Sequence, residues 1–252
     1  MAKTIAVAGK GGTGKSTVAA LVIQRLRAKG FGPILAIDAD PDANLGNLLG
    51  MRNIKTIGDL REDVLKEVKN FPAGMNKASY VEAGLHQIIA EADGFDFIAM
   101  GRSEGAGCYC YMNSLIRKFH EDLTPSYAWV VFDNEAGLEH ISRRTTSKID
   151  VLLIVVNDNP ISLETAGKIV QLTDSLPGSA EKRYILANMV REDRLPYVEK
   201  WAQENKIDYA GHLPRTSAIE DAIMNGASLL SLKHPPTRDR ISAILEKIGS
   251  VA

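Results

Sequence analysis

Seven short apolar runs, none longer than a single strand, constrain this chain more than any other feature. They are Thr4–Ala8, Pro33–Ile37, Phe97–Met100, Trp129–Phe132, Val151–Val156, Tyr184–Ala187 and Tyr209–Leu213. Most are nearly continuous instead of alternating apolar with polar, as strands buried on both faces should be. Between them lie longer segments with helical periodicity, at Lys15–Ala28, Ser162–Leu176 and Leu195–Asn205. Strands alternating with helices predict βαβ units, and so an α/β fold whose mainly parallel sheet is flanked by helices. No Pro/Gly/Ser-rich linker, low-complexity tract or repeat divides the 252 residues, so one domain over 1–252 is expected. The stretch Arg52–Asp93 is charged and helical-looking, without an assignment in detail.

Composition removes several function classes. The 30 basic residues balance 31 acidic ones, which argues against a nucleic-acid surface or a membrane-attracted patch. Two cysteines cannot build a disulfide framework, and their Cys-x-Cys spacing is poorly suited to a disulfide between them, so a reducing compartment is expected. The N-terminus lacks the long apolar stretch and small-residue cleavage site of a signal peptide. No purely apolar run exceeds the length of Val151–Val156, far short of a bilayer span. These features predict a soluble, cytoplasmic protein.

The first run leads into Gly9-Lys10-Gly11-Gly12-Thr13-Gly14-Lys15-Ser16-Thr17. This fits the phosphate-loop pattern G-x-x-x-x-G-K-[ST], with a strand before it and a helix after it. Glycines let backbone N–H groups close around phosphate oxygens, and the helix N-terminus adds its positive end. Lys15 is then expected to reach the β/γ-phosphates and the Ser16 hydroxyl to ligate Mg²⁺. A second lysine, Lys10, is not needed by an ordinary loop of this kind. With it the sequence resembles the deviant phosphate-loop ATPases (the SIMIBI class) typified by MinD, ParA and the nitrogenase iron protein. That resemblance implies that Lys10 crosses a homodimer interface to the partner's ATP. A solvated loop lysine is the plainer alternative.

Two acidic stretches follow strands. In Ile37-Asp38-Ala39-Asp40-Pro41-Asp42-Ala43-Asn44-Leu45, carboxylates at a strand's C-terminal end face the crevice where open α/β sheets bind ligands. Asp38 and Asp40 would share a face if the chain stayed extended. By resemblance to the family's first switch, Asp40 positions the attacking water and Asp38 lies near the metal. A helix cap with a turn is the alternative, best suited to Asp42. In Val130-Val131-Phe132-Asp133-Asn134-Glu135-Ala136-Gly137, Asp133 suits a Walker B role, holding Mg²⁺ through water, and Gly137 gives a second switch its freedom. His140 is a candidate base or ligand, though a lone histidine there is more often structural.

Asn205-Lys206-Ile207-Asp208 spells N-K-x-D, a guanine-reading pattern, but it closes a charged helix where the pattern should follow a buried strand. Asn188, ending the run Tyr184–Ala187, is the better base contact. Three positions on stands Arg191, where guanine would want a carboxylate. Pro214 and Arg215 resemble the family's adenine-side loop, so ATP is favoured over GTP.

Both cysteines sit in Gly107-Cys108-Tyr109-Cys110-Tyr111-Met112-Asn113, behind glycines at 101, 105 and 107 and ahead of an expected helix start near Asn113. A thiolate near a helix N-terminus is favoured, and four thiolates make a closed site for a soft-accepting metal. One chain supplies two; a two-fold homodimer supplies four. Buried core cysteines, a redox pair and ligation of a bridging [4Fe–4S] cluster are the other readings. The last would make the protein an ATP-dependent electron donor like the nitrogenase iron protein. There, however, one ligand comes from the second switch, and Asp133–His140 contains no cysteine.

Taken in order, G-K-G-G-x-G-K-[ST], D-A-D-P-x-x-N-L-G, G-x-C-Y-C-Y-x-N and D-N-E-A-G-x-E-H resemble the CooC group. These are nickel-insertion ATPases for carbon monoxide dehydrogenase, with an AcsF branch serving acetyl-CoA synthase. The likeness runs from residue 1 to about 225. It implies an ATP-dependent homodimer holding Ni²⁺, or Zn²⁺ in the same site, at Cys108 and Cys110, with a client nickel enzyme as partner. The implied ATPase residues are Lys10, Lys15 and Asp40 for hydrolysis, the 9–17 loop with Asn188, Pro214 and Arg215 for ATP, and Ser16, Asp38 and Asp133 for Mg²⁺. A ParA-like partitioning ATPase is a third reading. It would want a basic surface or an amphipathic tail, whereas Arg238–Ile248 is a mixed-charge helix.

Overall fold

The computed structural model describes residues 2–67, 77–101, 123–134, 149–175 and 180–249. Among the described residues eight strands form one sheet: β1 Lys3–Gly9, β2 Ile34–Asp38, β3 Ala90–Ala92, β4 Phe95–Ala99, β5 Trp129–Asp133, β6 Ile149–Val156, β7 Ala180–Asn188 and β8 Asp208–Leu213. Their order is β3-β4-β2-β5-β1-β6-β7-β8. Every pairing is parallel except β3 with β4. All seven apolar runs became strands. The unforeseen β3 is a three-residue edge strand, too short and too polar to show a buried-strand pattern. Its signal was the Asp93-Gly94 pair that turns it back onto β4.

The α-helices among the described residues are α1 Lys15–Ala28, α2 Asn44–Leu48, α3 Ile57–Glu67, α4 Lys77–Gln87, α5 Pro160–Ser175, α6 Leu195–Glu204, α7 Ser217–Met224 and α8 Pro235–Lys247. The period of two along each strand sorts side chains into two layers. Ile5, Val7, Ala36, Val131, Leu153 and Leu186 pack with Val18, Val22 and Leu26 of α1 and with Ile241, Ile244 and Leu245 of α8. Ala6, Ala8, Ile37, Val130, Leu152 and Ile185 pack on the other face with residues of α3, α4, α5 and α6. Both faces of the central strands are therefore covered, which is why their sequences read as continuous apolar runs. Leu153, fully buried on β6, makes the point energetically: Leu153→Ala leaves a cavity worth about 2–5 kcal/mol of stability. Among the described residues no helix is long and apolar enough to cross a membrane.

Strand register decides where the loops meet. Val7 of β1 and Asp38 of β2 both pair with Asp133 of β5. The C-terminal ends of these three strands lie side by side, on the side of the sheet where ligands of open parallel sheets bind.

Candidate functional site

The 9–17 loop is shaped by positions that only glycine fills easily. Gly9 has φ 148°, and a Cβ there would stand 2.4 Å from the Val155 carbonyl oxygen of β6. Gly14 has φ 84°, and a Cβ there would stand 2.3 Å from Asn188 Nδ2. Gly14 also begins α1, whose first turn has no side-chain cap. The leading N–H groups of that helix have no partner one turn earlier, and they give the loop the polarity of an anion site. Lys15 is buried at the head of α1, and Ser16 and Thr17 are half-buried beside it. Gly11 and Gly12 are exposed, while Thr13 between them and Gly14 is fully buried. The Thr13 hydroxyl donates to the Lys10 carbonyl at 2.8 Å, and the Thr13 N–H reaches the same oxygen at 3.3 Å. Lys10 itself is half-buried.

Beside the loop stand two carboxylates of unlike circumstance. Asp38 and Asp133 are both 0% exposed and lie opposite one another on β2 and β5. Asp38 is fully engaged: Oδ1 accepts the Asp40 N–H at 3.1 Å and Oδ2 accepts the Leu45 N–H at 2.8 Å. Burial pushes its pKa up to about 6, against the pull of those N–H groups. Asp133 finds no hydrogen-bond partner of good geometry for either oxygen among the described residues. Burial pushes it up to about 7; the Ser16 hydroxyl and the Lys15 ammonium pull the other way, and Asp38 adds to the rise. An orphaned buried carboxylate beside a hydroxyl is a donor set that a hydrated divalent cation fits. Asn134, next in the chain, is tied to β1 through its backbone and side-chain N–H bonds to the Val7 carbonyl.

The first acidic stretch departs from the extended geometry expected of it. The chain turns after Asp38, because the Asp38 side chain takes the Asp40 N–H and the Asp40 carboxylate in turn accepts the Asp42 N–H at 3.0 Å. Asp40 is therefore half-buried past the end of the strand, close enough to Asp38 and Asp133 for its charge to act on both. The carboxylate that holds the start of α2 is Asp38, through Leu45; Asp42 is exposed. The Asp38 carbonyl also accepts the Met100 N–H at 2.8 Å, joining this turn to the chain leaving β4.

On the other flank, β7 ends at Asn188, which is 7% exposed. Its amide Nδ2 donates to the Thr13 carbonyl at 2.8 Å. The next residue, Met189, has φ 58° and donates its N–H to the Leu213 carbonyl at 2.9 Å. Pro214, half-buried, and Arg215, exposed and ion-paired to Glu220, follow immediately. Asn188 thus meets the loop directly, and Pro214 and Arg215 follow Leu213, its register partner on β8. Arg191 pairs with Asp193 across two hydrogen bonds. The N-K-x-D stretch lies elsewhere: Asp208 pairs with Tyr184 in the middle of β7, away from Asn188, and the Asn205 amide donates to the Trp201 carbonyl. The bond from Asn188 to Thr13 had no signal in the sequence, since 175 residues separate the two. Cys108 and Cys110, with Gly105, Gly107, Gly137 and His140, lie outside the described residues.

Comparison with known proteins matches residues 4–229 to the family described as the CobQ/CobB/MinD/ParA nucleotide binding domain. An uncharacterized ATP-binding protein of Methanocaldococcus jannaschii is 38% identical over 97% of both chains. The carbon monoxide dehydrogenase accessory protein CooC of Rhodospirillum rubrum is 30% identical, again over 97% of both. Among solved structures, the MinD cell division protein of Aquifex aeolicus superposes with a TM-score of 0.72 at 22% identity, covering 100% of this chain and 98% of that one. At that identity the likeness speaks for the fold.

Proposed function

This chain belongs to the CobQ/CobB/MinD/ParA nucleotide-binding-domain family, and from that premise we propose that it is an ATP-dependent metallochaperone. It works as a homodimer, holds nickel at Cys108 and Cys110, and delivers it to carbon monoxide dehydrogenase or acetyl-CoA synthase. The observation that carries the ATPase half is the orphaned Asp133 carboxylate, buried beside Ser16 and Lys15 at the uncapped head of α1. The nickel half is supported by the C-x-C sequence and by the likeness to the Rhodospirillum rubrum protein along nearly its whole length.

In this reading the backbone N–H groups of Gly11–Thr17 and the Lys15 ammonium surround the β- and γ-phosphates. The Ser16 hydroxyl, and Asp133 through water, would hold Mg²⁺, which when bound neutralises charge on those phosphates. Asp38 keeps the turn after β2 in shape, and so sets where Asp40 stands to orient the attacking water. Water adds to the γ-phosphorus, the bond to the β-phosphate oxygen breaks, and ADP leaves with inorganic phosphate. Lys10 reaches the nucleotide of the second copy, so ATP favours the closed pair. Asn188, Pro214 and Arg215 flank the base. Two copies bring four thiolates together, a closed shell for the nickel cargo.

The test is metal content per chain after anaerobic incubation with Ni²⁺, beside a Cys108→Ala/Cys110→Ala control. The expected result is about half a nickel per chain, lost in the control, as two chains sharing one site require. Iron with sulfide in place of nickel would overturn the chaperone reading in favour of an electron donor, and leave the ATPase untouched.

A further inference from the structure

Resting on the nucleotide-binding reading, we infer that Asn188 and Thr13 form a positioning pair that sets the shape of the phosphate loop independently of any contact to a base. A residue that met only the base would face away from the loop. Asn188 does the reverse: its buried amide donates to the Thr13 carbonyl at 2.8 Å. Only the orientation with nitrogen toward the loop lets a donor meet that carbonyl. Thr13 passes the constraint on through its hydroxyl, which donates to the Lys10 carbonyl at 2.8 Å. One chain of hydrogen bonds thus runs from the end of β7, through Thr13, to Lys10.

Two further observations support a built brace. A Cβ on Gly14 would stand 2.3 Å from Asn188 Nδ2, so the glycine opens the path by which the amide reaches the loop. Met189, in the left-handed region at φ 58°, anchors the same corner to the Leu213 carbonyl at the end of β8. The base-side corner and the phosphate loop are therefore one hydrogen-bonded unit. Buried N–H and C=O groups need partners, and each break leaves one unsatisfied where water cannot easily replace it. The geometry gives Asn188 a role in phosphate binding that does not require a base, and gives the Thr13 hydroxyl a role in placing Lys10.

A probe without a base separates this role from base contact. Mg²⁺-tripolyphosphate and Mg²⁺-ATP are each competed against a fluorescent ATP analogue on wild type, Asn188→Ala, Thr13→Val and Thr13→Ser. Asn188→Ala is expected to weaken tripolyphosphate and ATP alike, by about ten-fold, the scale of one lost buried hydrogen bond. Thr13→Val weakens both in the same direction, and Thr13→Ser, which keeps the hydroxyl, restores them. Loss of ATP binding alone in Asn188→Ala, with tripolyphosphate unchanged, would overturn the proposal and make Asn188 a base contact only. So would wild type that binds ATP but not tripolyphosphate, because a preset loop does not wait for the base. Wild type that binds neither would instead sink the nucleotide-binding reading itself. Should Asn188→Ala not fold, Asn188→Asp decides the question, because it keeps the shape and replaces the donor to the Thr13 carbonyl by an acceptor: unchanged tripolyphosphate binding in that variant would overturn the brace.

Discussion

Asp38 and Asp133 sit opposite each other on neighbouring strands, equally buried, yet one is satisfied by the protein and the other is not. Asp38 holds two backbone N–H groups and fixes the turn that follows it. Asp133 holds none among the described residues. Burial of a carboxyl without a partner is costly, and a fold does not keep it for its own stability. The difference teaches how to tell a structural acid from a ligand-facing one when position in the fold is the same. The engaged carboxylate belongs to the scaffold; the orphan marks where something from outside completes the set.

Four experiments break or sharpen that contrast. Asp133→Asn has the largest expected effect: ATP hydrolysis falls by about 10²–10³-fold, the scale of losing one preorganised electrostatic group. Its thermal midpoint above pH 7 rises, because a buried charge whose burial cost Ser16 and Lys15 only partly offset is gone. A midpoint that fell instead would mean that Asp133 has a structural partner. Asp38→Ala gives the opposite profile in stability. It strands the Asp40 and Leu45 N–H groups and costs about 2–5 kcal/mol, read as a shifted denaturant midpoint with unchanged slope.

The pH dependence of the nucleotide-free protein comes third. Both carboxyls are raised from the ordinary 3.8, to about 6 for Asp38 and about 7 for Asp133. Between those limits the folded chain keeps protons that the unfolded chain has released. Their contribution is fully present below pH 4 and is lost as pH rises to about 7, with roughly 7 kcal/mol as the upper bound from about five units of combined rise. Urea melts from pH 4.5 to 8, levels chosen to bracket both raised values, check this; in Asp133→Asn the fall ends near 6, where Asp38 alone titrates. The smallest effect belongs to a third carboxylate. Asp208→Asn, exposed in the N-K-x-D stretch, should leave ATP-over-GTP preference unchanged and stability within about 0.5 kcal/mol, as calorimetric titration with both nucleotides and a thermal melt would show.

The legible part of the molecule was the local part. The helix over Lys15–Ala28 formed residue for residue, and Asp38 and Asp133 were picked out because both end buried strands. What distinguishes those two acids was hidden. It depends on Leu45, seven residues after Asp38, and on whether anything turns toward Asp133, neither of which a motif encodes. The extended chain expected between Asp38 and Asp40 gives way to a turn for the same reason, since the Asp38 side chain takes the Asp40 N–H. The position of Asn188 after a buried strand marks it in the sequence as a candidate base contact, but its bond to Thr13 is a product of sheet order, which brings β7 within reach of the loop after β1 across the intervening β6.

The bond from the Met100 N–H to the Asp38 carbonyl has a practical consequence. It makes one amide proton a clock for the turn after β2. While the turn keeps its shape, that proton exchanges with deuterium only as fast as the strand end opens. A nucleotide that reshapes the turn changes the exchange rate at Met100 and leaves a mid-strand amide such as that of Leu153 as the internal standard. The timing of the site can thus be read in an unmutated chain, without a label.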